Sequence, residues 1–147
     1  MRKTFVMRGQ TASGGQEVLN FGKYKQGYGY VLTEFKLWGT TNLGGADMEM
    51  FGTLTAGKTA VAPIDPNFND DGLLGVSAAL FRPTSQSNMS DSIVNDTYVI
   101  TQNLILMVQD AGAGSRPVNW QCRFESVKMT GAEEASVNYK QFAISDE

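Results

Sequence analysis

The stretch from Gly52 to Thr59, GTLTAGKT, satisfies the pattern G-x-x-x-x-G-K-[ST] at every defined position. In nucleotide-binding proteins that spacing lets backbone amides of a glycine turn cradle phosphates at a helix N-terminus, with the lysine neutralising them. The chemistry therefore needs a helix directly after Lys58 and Thr59. Here the chain continues AVAPIDPNF, with Pro63 and Pro66 inside what would be the first two turns. A proline in a helix interior removes a backbone donor and clashes with the turn before it. The segment is read instead as a strand that runs out at Ala56 and Gly57, with Lys58 in solvent. A nucleotide hydrolase built on Lys58 is the weakest of the functional readings.

Oxygen ligands are concentrated in DPNFNDDG, from Asp65 to Gly72. Asp65, Asn67 and Asn69 alternate as the first ligands of a calcium loop do, but an EF-hand requires glycine at the sixth position, where this chain has Asp70. The flanking helices and the distal glutamate are also missing. A calcium site of another kind, drawn from Asp65, Asn67, Asn69, Asp70 and Asp71, is the candidate metal site, and calcium the one candidate cofactor. The same residues are ordinary turn formers, and both readings stay open.

Nucleophilic catalysis has little to work with. The chain has no histidine and a single cysteine, which excludes Ser-His and Cys-His pairs, an intramolecular disulfide and any cysteine metal cluster. Cys122, in VNWQCRF, alternates with Trp120 and Phe124 and reads as a small buried hydrophobe. Glu133 and Glu134 sit beside a glycine turn and read as an exposed end. No catalytic residue is assigned, and the chain is not expected to be an enzyme.

Aromatic residues cluster in FGKYKQGYGYV, where Phe21, Tyr24, Tyr28 and Tyr30 lie among glycines and two lysines. Such patches stack on single-stranded nucleic acid or serve protein contacts. Twelve basic against fifteen acidic residues give a net charge of -3, which disfavours nucleic acid. These four residues are therefore read as a subunit contact or as plain strand-edge packing, and they are the candidate interface.

The elements that must position these groups follow a period of two. KTFVMRG sets Thr4, Val6 and Arg8 opposite Phe5 and Met7. QEVLNFG follows a glycine turn as a second strand. YVLTEFKLWGT places Val31, Thr33, Phe35 and Leu37 on one face, with Tyr30, Leu32, Glu34, Lys36 and Trp38 on the other. MEMFGTLTAG sets Met48, Met50, Gly52 and Leu54 on one face, and LGVSAALF reads as a further strand. PTSQSNMSDS reads as a polar loop, and IVNDTYVITQNLILMVQD as one long strand or two. VNWQCRFESVKMTG aligns Val118, Trp120, Cys122 and Phe124, then shifts phase to Val127 and Met129, which predicts a bulge near Glu125 and Ser126. ASVNYKQFAI reads as a last strand. No segment has a helical period. The expectation is one all-β domain over residues 1–147, an antiparallel, jelly-roll-like β-sandwich of about eight strands.

No apolar run approaches the length of a membrane span, and MRKTFVMRGQ has no apolar signal-peptide region, so no membrane association is expected. The stretches KTFVMRGQTASG, EVLNFGKYKQGY, DPNFNDDGL, VNDTYVITQNLILMV and PVNWQCRFESVKM…NYKQF together resemble a family of small proteins encoded in marine and aquatic bacteriophage genomes. The resemblance covers most of the chain and carries no activity or catalytic residue with it. It implies a phage origin and, by analogy with other small all-β phage proteins, a place in the virion.

The leading expectation is a virion structural protein, a capsid component or a capsid decoration (cement) subunit. It would assemble in the host cytoplasm by symmetric contacts with copies of itself and with other virion proteins. A tail or tube subunit is the alternative within the class. From another class comes a carbohydrate- or calcium-binding β-sandwich module using Trp38, Tyr28 and the Asp65–Gly72 loop.

Overall fold

The computed structural model describes residues 3–21, 27–40, 47–57, 59–83, 87–133 and 135. Among them are eight strands: β1 Thr4–Thr11, β2 Gln16–Leu19, β3 Tyr28–Gly39, β4 Met48–Ala56, β5 Leu73–Arg82, β6 Ser87–Val94, β7 Leu104–Asp110 and β8 Val118–Lys128. They form two antiparallel sheets, of order β1-β8-β3 and β2-β7-β4-β5-β6. The expected β-sandwich is what forms. The helical residues described are 131–133 and 135.

The strand order has a simple origin. A chain doubled back on itself, strands 1–4 against 8–5, pairs 1 with 8, 2 with 7, 3 with 6 and 4 with 5, the wrapping of a jelly roll. Three of those pairs are ladders here. The fourth is not: β6 stays on β5 in the same sheet, while β3 packs against both β5 and β6. β6 thereby becomes the terminal strand of the larger sheet.

Alternation fills the core. Met48, Met50 and Leu54 of β4, Leu104, Leu106 and Val108 of β7, and Val118, Cys122 and Phe124 of β8 are fully buried between the sheets. Gly52 lies in the same row, and its missing side chain makes room for Phe35 and Leu37 of the opposite sheet. Met129 is buried and Met107 half-buried.

Two details differ from the sequence reading. The irregularity expected near Glu125 and Ser126 lies instead on the partner strand. β8 keeps a regular register with β1 there, whereas β3 slips between Leu32 and Glu34. Thr33 is the extra residue, its hydroxyl donating to the Arg123 carbonyl at 3.1 Å. The slip turns Leu32 inward together with Phe35 and Leu37, so Leu32 is core rather than outer face. Second, most of PTSQSNMSDS is not a loop, because β6 begins at Ser87. IVNDTYVITQNLILMVQD takes the two-strand alternative: β6 ends at Val94, Ile100 forms an isolated bridge to Tyr30, and β7 starts at Leu104. The strand read in ASVNYKQFAI lies outside the described residues, apart from Ala135.

Candidate functional site

The glycine pattern Gly52–Thr59 is a strand that ends in turns. β4 stops at Ala56, and Gly57 takes a φ of 144°, a conformation suited to glycine. No helix follows in residues 59–72. Instead the chain folds back onto the outer face of β4. The Thr53 hydroxyl donates to the Val61 carbonyl at 2.6 Å, and the Val61 amide donates to the Thr55 hydroxyl at 3.2 Å. Two threonines on a sheet face are thus buried with their hydroxyls satisfied. Lys58 lies outside the described residues.

The acidic loop uses its oxygens on its own backbone. Asn67 Oδ1 accepts the Asn69 amide at 3.0 Å, and Asp70 Oδ1 accepts the Gly72 amide at 3.0 Å. The Ala56 amide then donates to the Gly72 carbonyl at 2.7 Å, which fixes the loop's exit against the end of β4. Asp65, Asn67, Asn69, Asp70 and Asp71 are all exposed. Among the described residues, no three His, Cys, Asp or Glu side chains gather closely enough to hold a metal ion.

The candidate interface aromatics separate. Phe21 and Tyr30 are half-buried and stacked, with centroids 5.2 Å apart, and both meet Phe5 edge-on. Phe21 also meets Phe124 edge-on at 4.9 Å. Their rings are spent on an internal cluster that closes one end of the sandwich. Tyr28 is half-buried at the start of β3. Tyr24 lies outside the described residues.

Two features went unread in the sequence. Asp110, at the end of β7, is buried with its carboxylate surrounded by amides. Oδ1 accepts from Glu49 at 3.0 Å and Gly112 at 2.9 Å, and Oδ2 accepts from Arg116 at 2.9 Å. It organises the glycine turn before β8. Its signal was an aspartate directly before AGAGSRP, the position of a turn-closing carboxylate.

The second feature is an apolar surface on the β5–β6 hairpin. Val76 stands opposite Ile93, Ala78 opposite Asp91, and Leu80 opposite Met89. Ile93 is 60% and Met89 51% exposed, and Phe68 of the acidic loop, 62% exposed, borders the same face. Phe68, Leu73, Val76 and Ile93 line a shallow groove of about 180 Å³ there. Met89 and Ile93 sit at even spacing in NMSDSIV, but serine-rich neighbours gave that stretch the composition of a loop.

Among the described residues this surface lies at a sheet edge. β6 is the last strand of the larger sheet among the described residues; it contains neither lysine nor proline, and Asp91 is its one charged residue. Among the described residues no helix is long and apolar enough to cross a membrane. No family model and no curated protein matches the chain.

Proposed function

We propose that this chain is a bacteriophage virion structural protein, a capsid component or capsid decoration subunit that assembles by symmetric contacts with copies of itself and with other virion proteins. The observation that carries the proposal is the β5–β6 hairpin, where exposed Met89 and Ile93, with neighbouring Phe68, flank Asp91 on a strand that is terminal among the described residues. Covering one large aliphatic side chain contributes roughly 1.5–3 kcal/mol, and a sheet edge adds a row of backbone donors and acceptors. A contact built on both is directional and self-complementary, as closed symmetric assemblies require. The jelly-roll-like wrapping agrees with this reading by analogy alone, because that fold serves capsid and lectin domains alike.

Sedimentation velocity over a wide range of protein concentration tests the proposal. The parent chain is expected to associate, and the double variant Met89→Lys, Ile93→Lys to remain monomeric with an unchanged melting temperature. A parent that stays monomeric throughout would count against it.

A further inference from the structure

The outer face of the three-stranded sheet holds a different kind of surface. The register across β1, β8 and β3 sets Arg8, Gln121 and Lys36 in one row and Gln10, Asn119 and Trp38 in the next. These six residues line most of a groove of about 580 Å³, within the range of small-ligand sites. Neighbouring strands lie about 4.8 Å apart and alternate residues about 7 Å apart along a strand, so the two rows span an area comparable to one or two sugar rings.

Each part has a defined role. Trp38 is 58% exposed, yet its ring is held at the rim by edge-on contact with Phe81, centroids 5.0 Å apart. An indole held by a ring contact with more than half of its surface exposed is a stacking platform. Gln10 Nε2 donates to Asn119 Oδ1 at 3.1 Å, and Asn119 Nδ2 to the Gly39 carbonyl at 3.1 Å, which fixes the floor beside the tryptophan. Arg8 and Lys36 are exposed, and neither has an ion-pair or hydrogen-bond partner among the described residues. In the following row Arg123 stands between Val6 and Glu34, so charge there is balanced. Arg8 and Lys36 therefore form a local positive site on a chain of net charge -3.

We propose that this groove binds an acidic saccharide, with a sugar ring on Trp38, its hydroxyls on Gln121 and Gln10, and its carboxylate between Lys36 and Arg8. Stacking on indole uses the apolar face that a pyranose presents, and the amides match its hydroxyls. A nucleic-acid strand asks for something else, a track of positive charge with several stacking rings. Among the described residues this face offers one exposed indole, two cations without a partner and a glutamate in the next row. The site lies on the opposite sheet from the β5–β6 surface.

Calorimetric titration of the full chain with tetragalacturonate, neutral cellotetraose and an eight-residue thymidine oligonucleotide tests the assignment. Tetragalacturonate is expected to bind saturably and at least tenfold more tightly than cellotetraose. Arg8→Gln with Lys36→Gln, a pair of exposed sites that leaves the melting temperature in place, is expected to reduce it to the neutral sugar's level. Trp38→Ala is expected to abolish binding of both sugars. The assignment is overturned if tetragalacturonate does not bind saturably, if the oligonucleotide binds more tightly than it does, or if the double glutamine variant binds it unchanged.

Discussion

The Asp110 carboxylate accepts the Arg116 amide at 2.9 Å through Oδ2, while its other oxygen holds the amides of Glu49 and Gly112. One side chain thus ties the end of β7 to the start of β4 and to the turn that enters β8. Hydrogen bonds to a charged group are each worth about 1.5–3 kcal/mol and are not additive. Asp110→Ala is expected to lower stability by roughly 2–4 kcal/mol in urea unfolding, because three half-buried donors lose one shared acceptor. Asp110→Asn, which keeps one acceptor oxygen, is expected to lose less. A loss below about 1 kcal/mol for the alanine variant would remove Asp110 from this organising role.

Asp70 makes a smaller, separable prediction. Its carboxylate closes the turn at the Gly72 amide, so Asp70→Ala is expected to lower stability by about 1 kcal/mol in the absence of any metal. If the loop serves only as a turn, added calcium leaves the melting temperature of parent and variant alike where it was. A calcium-dependent rise in the parent that the variant lacks would instead assign the loop to metal binding.

Gly52, the first glycine of the phosphate-loop pattern, has a steric role between the sheets. A Cβ there would stand 2.9 Å from Phe35 Cζ and 3.2 Å from a Leu37 methyl. Gly52→Ala is expected to destabilise by about 1–3 kcal/mol through overpacking, and Gly52→Ala with Phe35→Leu to recover part of that loss. Thermal unfolding of the two variants decides it, and an alanine variant as stable as the parent would contradict the close approach.

Alkaline pH should weaken the fold. Burial pushes the Tyr98 hydroxyl from 10.0 up to about 12 and pushes the Cys122 thiol well above its ordinary 9.0. Both groups stay protonated in the folded chain at pH values where the unfolded chain has already ionised them. Their contribution is therefore full below pH 9.0 and declines from there through about pH 12. Melting temperature is expected to fall across that window, and Cys122→Ala to flatten its lower part. Rapid reaction of the native thiol with an aromatic disulfide reagent at pH 8 would show that Cys122 is not sealed in the core.

The sandwich was legible because half-buried strands write their burial in a period of two. Met48, Met50 and Leu54, and Val118, Trp120, Cys122 and Phe124, point inward as their spacing demands. Bulge position was not legible, because a slip belongs to a pair of strands. The phase shift seen in β8 has its counterpart at Thr33 of β3, and only pairing reveals which strand carries the extra residue. β6 was missed for a different reason. An edge strand that buries little has no need of β-branched or aromatic residues, so Ser87–Asp91 resembles a loop until it pairs with β5.

The sites follow the same division. Asn67 and Asp70 bear out their turn-forming chemistry, since local hydrogen bonds depend on near neighbours. The Arg8, Lys36 and Trp38 surface draws on two strands far apart in sequence and aligned only by β8 between them. No linear pattern contains it. Phe21 and Tyr30, grouped by sequence with Tyr24 and Tyr28, are gathered by the fold around Phe5 and Phe124 instead.

A structural place in a virion is tested most directly by quantitative mass spectrometry of phage particles purified from the host in which the chain is made. The chain is expected to copurify with intact particles at a copy number that is a multiple of the shell's or tail's rotational symmetry. Its presence in the infected cell together with its absence from purified particles would rule out a place in the virion.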